Sequence, residues 1–189
     1  MLLGILLLLC FACGGGEEEA TPTPTPTAGY LTYTDEANGF SIWYPEDWDR
    51  DESAEGTTLF RSPRSFPCGG SAPDEFHPYV CVYYWQYPSK VDLQQEFDLL
   101  KQESEQWRGY THISTEEMTV NGVPAIKHVF TYRLEVTSHT FKRAYVVLAN
   151  ERTLYIIECF CQECAWDWEG CWPNFDTIIH SFQILDSLG

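Results

Sequence analysis

Seven short segments of alternating apolar character, each bounded by turn residues, recur along the chain: Phe40–Tyr44, Thr57–Arg61, Tyr79–Tyr87, His112–Val120, Ala125–Val136, Phe141–Ala149 and Thr153–Phe160. A period of two places alternate side chains on opposite faces of a sheet, so these segments are strand candidates. Asn121-Gly122, Thr137-Ser138-His139 and Asn150-Glu151-Arg152 stand between the last four and predict hairpins, hence an antiparallel meander over residues 112–160. The regular strand–helix alternation of a parallel sheet is missing. Two helices are predicted beside the strands. Ser89 and Asp92 form a capping signature ahead of Leu93, Phe97 and Leu100, with Gly109 as the stop. Asn174 precedes a second stripe of Phe175, Ile178, Ile179 and Phe182. The expected class is α+β.

The first 29 residues do not share this pattern. Leu2–Leu9 is apolar apart from Gly4 and, with Cys10 to Ala12, is too short for a stable membrane span but long enough for an export-signal core. Cys13 follows the small residue Ala12 and precedes three glycines. The stretch resembles a bacterial lipoprotein lipobox, with Cys10 where Leu is usual, which implies cleavage before Cys13 and a lipid on its sulfur. Gly14–Gly29 carries three glutamates and the repeat Thr21-Pro22-Thr23-Pro24-Thr25-Pro26, a composition that favours extended polyproline II over any core. The expected organisation is a signal peptide over 1–12, a lipidated cysteine and stalk over 13–29, and one folded domain over 30–189. That places the chain at the extracytoplasmic face of the cell membrane, anchored by lipid.

Twenty-eight acidic residues against 11 Lys and Arg give a net charge of −17, which argues against nucleic acid as a partner. An apolar fraction of 44% with 15% aromatics excludes a disordered acidic chain.

Gly39-Phe40-Ser41-Ile42-Trp43-Tyr44-Pro45-Glu46-Asp47-Trp48 resembles the opening signature of PsbP-like domains. Val120-Asn121-Gly122-Val123-Pro124-Ala125 resembles that family's hairpin, and Phe175, Ile178, Ile179, Ser181 and Phe182 its closing segment. The similarity spans about residues 30–185. It implies an antiparallel sheet with helices on both faces, the fold of photosystem II extrinsic subunits and Ran-binding proteins. It also implies binding to other proteins.

Six cysteines remain beyond Cys10 and Cys13: Cys68, Cys81, Cys159, Cys161, Cys164 and Cys171. In an exported chain an even number predicts three disulfides. Cys159 and Cys161 lie two apart on one strand face, where a mutual bond demands strained geometry, so each is expected to pair elsewhere. Cys164 and Cys171 are candidates to close the loop Ala165–Gly170. Two alternatives use the same residues: a zinc site from Cys159, Cys161, Cys164 and Cys171, and thiol–disulfide exchange at Cys161-Gln162-Glu163-Cys164. Disulfides are preferred to both, and no metal or other cofactor is expected.

Trp166, Trp168 and Trp172, interleaved with Asp167 and Glu169, are expected to present rings and carboxylates to a partner protein, a cation or a glycan. The histidines are dispersed, and no sequence motif names a reaction. The expected function is a non-catalytic binding or assembly module. The alternative is an enzyme working through the Cys161/Cys164 pair or a metal at the cysteine cluster.

Overall fold

A computed structural model describes residues 25–65, 76–134, 139–167 and 171–185. The export signal, Cys13, the Thr-Pro repeat up to Pro24, Cys68, Thr137, Ser138, Trp168 and Glu169 lie outside the described residues. The strands are β1 (Tyr30–Asp35), β2 (Phe40–Pro45), β3 (Asp49–Asp51), β4 (Thr57–Arg61), β5 (Tyr79–Gln86), β6 (Thr111–Val120), β7 (Val123–Arg133), β8 (Thr140–Ala149), β9 (Thr153–Gln162) and β10 (Gln183–Ile184). The helices are α1 (Leu93–Ser104) and α2 (Trp172–Ser181).

The strands form a seven-stranded antiparallel sheet, in the order β3-β4-β5-β9-β8-β7-β6, and a small sheet β1-β2-β10. The expected meander is β6 to β9. At its first turn Asn121 and Gly122 both have positive φ, 47° and 82°, the mirror-image turn whose twist matches paired strands. One face of the large sheet packs Val80, Ala144, Val146 and Ile157 against Phe40 and Ile42 of β2 and Phe175, Ile178 and Ile179 of α2. The other buries Ile126, Phe130, Phe141, Ile156 and Phe160 beneath Phe97 of α1. The fold is α+β, with one helix on each face.

The opening signature has a packing reason. Phe40, Ile42 and Tyr44 are buried, and the Pro45 carbonyl accepts a bond from the Trp48 amide at 3.0 Å. That turn sets the buried Trp48 ring edge-on to Phe175 of α2, 6.4 Å between centroids. β1, β3 and β10 carry no sequence signal as strands: β3 is three exposed residues and β10 only two. α1 is capped by Asp92, whose carboxylate accepts from the Gln95 amide at 3.1 Å, a contact worth about 1 kcal/mol. It ends at Ser104, before Gly109. α2 starts at Trp172 rather than after Asn174, with Pro173 in its first turn; the Asn174 side chain instead accepts from the Tyr30 hydroxyl at 2.7 Å.

Asn121 also joins two elements. Its side-chain amide donates to the His180 and Phe182 carbonyls at 3.0 and 2.7 Å, satisfying groups that the end of α2 leaves open. Asn121→Ala removes both bonds and places Ala at positive φ, so a loss of about 2–3 kcal/mol is expected from urea unfolding. A loss below about 0.5 kcal/mol would show that the clamp contributes nothing.

Candidate functional site

The cysteine cluster folds differently from the expectation. Cys161 bonds to Cys171, joining the end of β9 to the start of α2. Cys164 is disulfide-bonded too, but not to Cys171. The reason is placement: Cys161 and Cys171 both sit in the core between the sheet and α2, whereas Cys164, on the turn Glu163–Ala165, is exposed. Bridging a separation of ten residues contributes about 2.7 kcal/mol on chain-entropy grounds.

Cys81 and Cys159 are free and buried, contrary to the expectation that both form disulfides. Register keeps them apart. Cys81 lies opposite Glu158 on β9, so Cys159, the next residue, points to the other face. Burial pushes the Cys81 thiol up to about 12, and burial likewise raises Cys159 well above the ordinary thiol range. Neither is a ready thiolate near neutral pH. With Cys161 and Cys171 oxidised together, the four-thiolate zinc set is dissolved, and Cys161-Gln162-Glu163-Cys164 is no mutual redox pair. Among the described residues no three His, Cys, Asp or Glu side chains group closely enough to hold a metal ion.

In the tryptophan loop, Trp166 is likewise turned inward. Trp166 is only 3% exposed; it stacks on Trp172 at 5.5 Å and leans on Phe175 at 5.4 Å. It is therefore a core residue rather than an exposed partner-binding ring. Lys142 Nζ lies 4.9 Å from the Trp166 centroid, and Lys127 Nζ lies 4.9 Å from that of the half-buried Trp172. The described faces thus already carry ammonium groups of this chain. Asp167 is exposed.

On the α1 face, strand register assembles a polar centre that no motif announces. Thr115, His128, Tyr145, Glu158 and Cys81 are successive partners across β6, β7, β8, β9 and β5. The next row runs Phe130, Arg143, Phe160, Tyr79. Arg143 Nη2 approaches Glu158 Oε1 at 3.2 Å, with the two side chains 12% and 3% exposed. The Tyr79 hydroxyl donates to the same oxygen at 2.6 Å. Arg143 also donates to the Tyr145 and Tyr132 hydroxyls at 3.0 and 2.8 Å, and its guanidinium lies 4.7 Å from the Trp107 centroid and 5.4 Å from that of Phe160. Its Nε alone is buried without an acceptor.

A second chain of contacts surrounds His128, which is fully buried. Its Nε2 lies 3.2 Å from the Tyr110 hydroxyl and its Nδ1 2.8 Å from Thr115 Oγ1, which in turn is 3.1 Å from His112 Nε2. A register shift between His112 and Ser114 lets His112 and Thr115 meet.

Each of these environments moves a group away from neutral pH. Burial, reinforced by Glu158, raises Tyr79 and Tyr83 far above the ordinary phenol range. Tyr145 is raised by burial against the opposing pull of Arg143. Burial, aided by the charges of His112 and Lys101, lowers His128 to about 4. For Arg143 burial works against the charge, but Glu158 and the phenols outweigh it and keep the guanidinium protonated. A general acid or base works best with a pKa near the operating pH. These groups are instead locked in single protonation states.

The apolar run Leu154-Tyr155-Ile156-Ile157-Glu158-Cys159-Phe160 held one readable signal, a carboxylate at a core position of a strand. His128 held none, since its burial depends on α1 packing over β7.

Thiol mapping checks the cysteine assignment. Non-reducing digestion is expected to join the Cys161 and Cys171 peptides, and iodoacetamide to label Cys81 and Cys159 only after unfolding. A Cys164–Cys171 peptide, or labelling of Cys159 in the native protein, would contradict it.

Comparison with known proteins agrees with this architecture. No curated protein matches at the level of sequence. Among solved structures, cyanobacterial PsbP (CyanoP) from Synechocystis sp. PCC 6803 superposes with a TM-score of 0.54 at 20% identity, covering 92% of this chain and 97% of that one. The Ran-binding protein Mog1p of Saccharomyces cerevisiae gives 0.54 at 10% identity, over 84% and 96%. A protein from Bacteroides thetaiotaomicron gives 0.56 at 13% identity over 82% of this chain, which spans about half, 48%, of that longer protein. Such identities establish a shared fold and nothing more. Residues 23–184, nearly the whole folded part, match the family described as PsbP-like protein, and the chain belongs to that family.

Proposed function

We propose that this chain is a non-catalytic binding or assembly module, held at the extracytoplasmic face of the cell membrane by a lipid on Cys13 and set off from it by the Thr-Pro stalk. The observation that carries the non-catalytic part is the chemistry of the polar interior. Arg143, Glu158, Tyr79, Tyr132 and Tyr145 bond to one another, and burial holds the Cys81 thiol and the Tyr79 and Tyr145 phenols far above neutral pH and the His128 imidazole below it. Such a centre holds a sheet rigid rather than turning over a substrate.

A binding role is supported from two further sides. The family fold is shared by a protein described as Ran-binding. The chain's net charge of −17 favours partners with basic surfaces. The loop after β9 is kept in this proposal as a partner surface through exposed Asp167 and half-buried Trp172; the other two residues proposed for it, Trp168 and Glu169, lie outside the described residues. The ring of Trp166 does not belong to that surface, because it is spent on Trp172 and Phe175.

Two readings on chain extracted from native membranes test the proposal. Intact mass is expected to show a diacylated or triacylated chain beginning at Cys13; an unmodified chain beginning at Met1 would contradict the anchor. Dithiol-dependent insulin reduction is expected to stay at the uncatalysed rate, and turnover abolished by Cys161→Ser would overturn the non-catalytic reading.

A further inference from the structure

Positive charge is scarce in this protein, yet three of its 11 lysines and arginines line one cavity of about 400 Å³. The cavity opens where the turn after α1 meets the end of β7. Its walls include Trp107, Arg108, Tyr132, Arg133, Leu134 and Arg143. The backbone fixes two of the arginines together: the Arg133 amide donates to the Arg108 carbonyl at 2.8 Å. Gly109, at φ +67°, lets the Arg133 stem pack close, since a Cβ there would stand 3.3 Å from Arg133 Cγ. Arg108 and Arg133 are exposed, and among the described residues neither forms an ion pair. Arg143 forms the floor, where Glu158 already balances its charge.

We infer that this cavity binds a carboxylate carried on a flat apolar body. Two guanidiniums with no ion pair among the described residues, carried on hydrogen-bonded backbone, offer a carboxylate a donor for each oxygen, and paired Arg–carboxylate bonds are among the stronger polar contacts available. Trp107, Tyr132 and Leu134 supply an apolar wall for the rest of the ligand, and the volume is of ligand-site size. A single negative charge suits the site better than a doubly charged phosphate. The floor is already neutral, and every added negative charge is opposed by the acidic protein around it. The carboxylate arrives either on a free small molecule or at the chain end of a partner. This inference stands on the cavity alone and does not depend on the lipid anchor or on the non-catalytic reading.

Calorimetric titration of the full chain in detergent with benzoate tests it, with benzyl alcohol, N-acetylphenylalanine and inorganic phosphate as comparison probes. Saturable benzoate binding is expected, with benzyl alcohol and phosphate each weaker by about tenfold or more. The Arg108→Ala/Arg133→Ala double variant, whose exposed side chains support no core contact, is expected to lose about tenfold in benzoate affinity at unchanged melting temperature. N-acetylphenylalanine binding more tightly than benzoate would support the site and identify a chain end as its natural source; the reverse order would support it and favour a free small molecule. No benzoate binding, benzyl alcohol or phosphate binding as tightly as benzoate, or full affinity in the double variant would each overturn the inference.

Discussion

The centre of a sheet covered on both faces has no solvated side on which to place a charge, and β9 runs through it with nine of its ten residues buried. Glu158 on that strand is therefore the constraint around which the α1 face is organised. An unpaired carboxylate there would cost several kcal/mol. Arg143 on the neighbouring strand answers it at 3.2 Å, and the hydroxyls of Tyr79, Tyr132 and Tyr145 bond to the pair, while Arg143 Nε stays without an acceptor. The Trp107, Tyr132 and Phe160 rings surround the guanidinium within 5.4 Å, so a charged group is accommodated largely by rings that also form core. α1 is a single helix of 12 residues, too short to cover the face alone, and Trp107 and Tyr110 beyond its end extend that cover.

The opposite face keeps charged groups out of its hydrophobic core. The small sheet and α2 lie against Val146, Ile157 and Cys159, and the Cys161–Cys171 bond fixes where α2 begins. Between its ends Trp166 is part of the core, and Lys142 and Lys127 close over the Trp166 and Trp172 rings. The two faces thus do different work. One anchors the helix nearest the C-terminus covalently, and the other carries the polar centre whose outer edge is the arginine-lined cavity.

The strands of the meander and the two helices were legible because period-two and period-3.6 patterns reflect burial on one side, which local sequence carries. The edge strands β1, β3 and β10 were not, since their pairing is decided by partners distant in sequence, as when Gln183 meets Ser41. The cysteine pairing escaped for the same reason. Spacing placed Cys164 and Cys171 in reach, but only the positions of β9 and α2 show that Cys161 and Cys171 share a buried space. The polar centre was legible in part: Glu158 stands out in an apolar run, while Arg143 looks like any strand arginine until register sets it beside Phe160 and Phe130. The Asn-Gly hairpin and the Tyr-Pro turn were readable as motifs, and their packing against α2 explains why those residue types occur there.

The dependence of the fold on the buried pair is most directly measured by a double-mutant cycle at Arg143 and Glu158, read by chemical unfolding of Arg143→Met, Glu158→Gln and the combined variant. Removing one member leaves the other unpaired in the interior, so each single change is expected to cost about 3–5 kcal/mol, with the double variant well short of their sum. Single changes that each cost under about 1 kcal/mol, or a double variant equal to the sum of the singles, would show that the two groups do not depend on one another and that the α1 face is held by its aromatic packing alone.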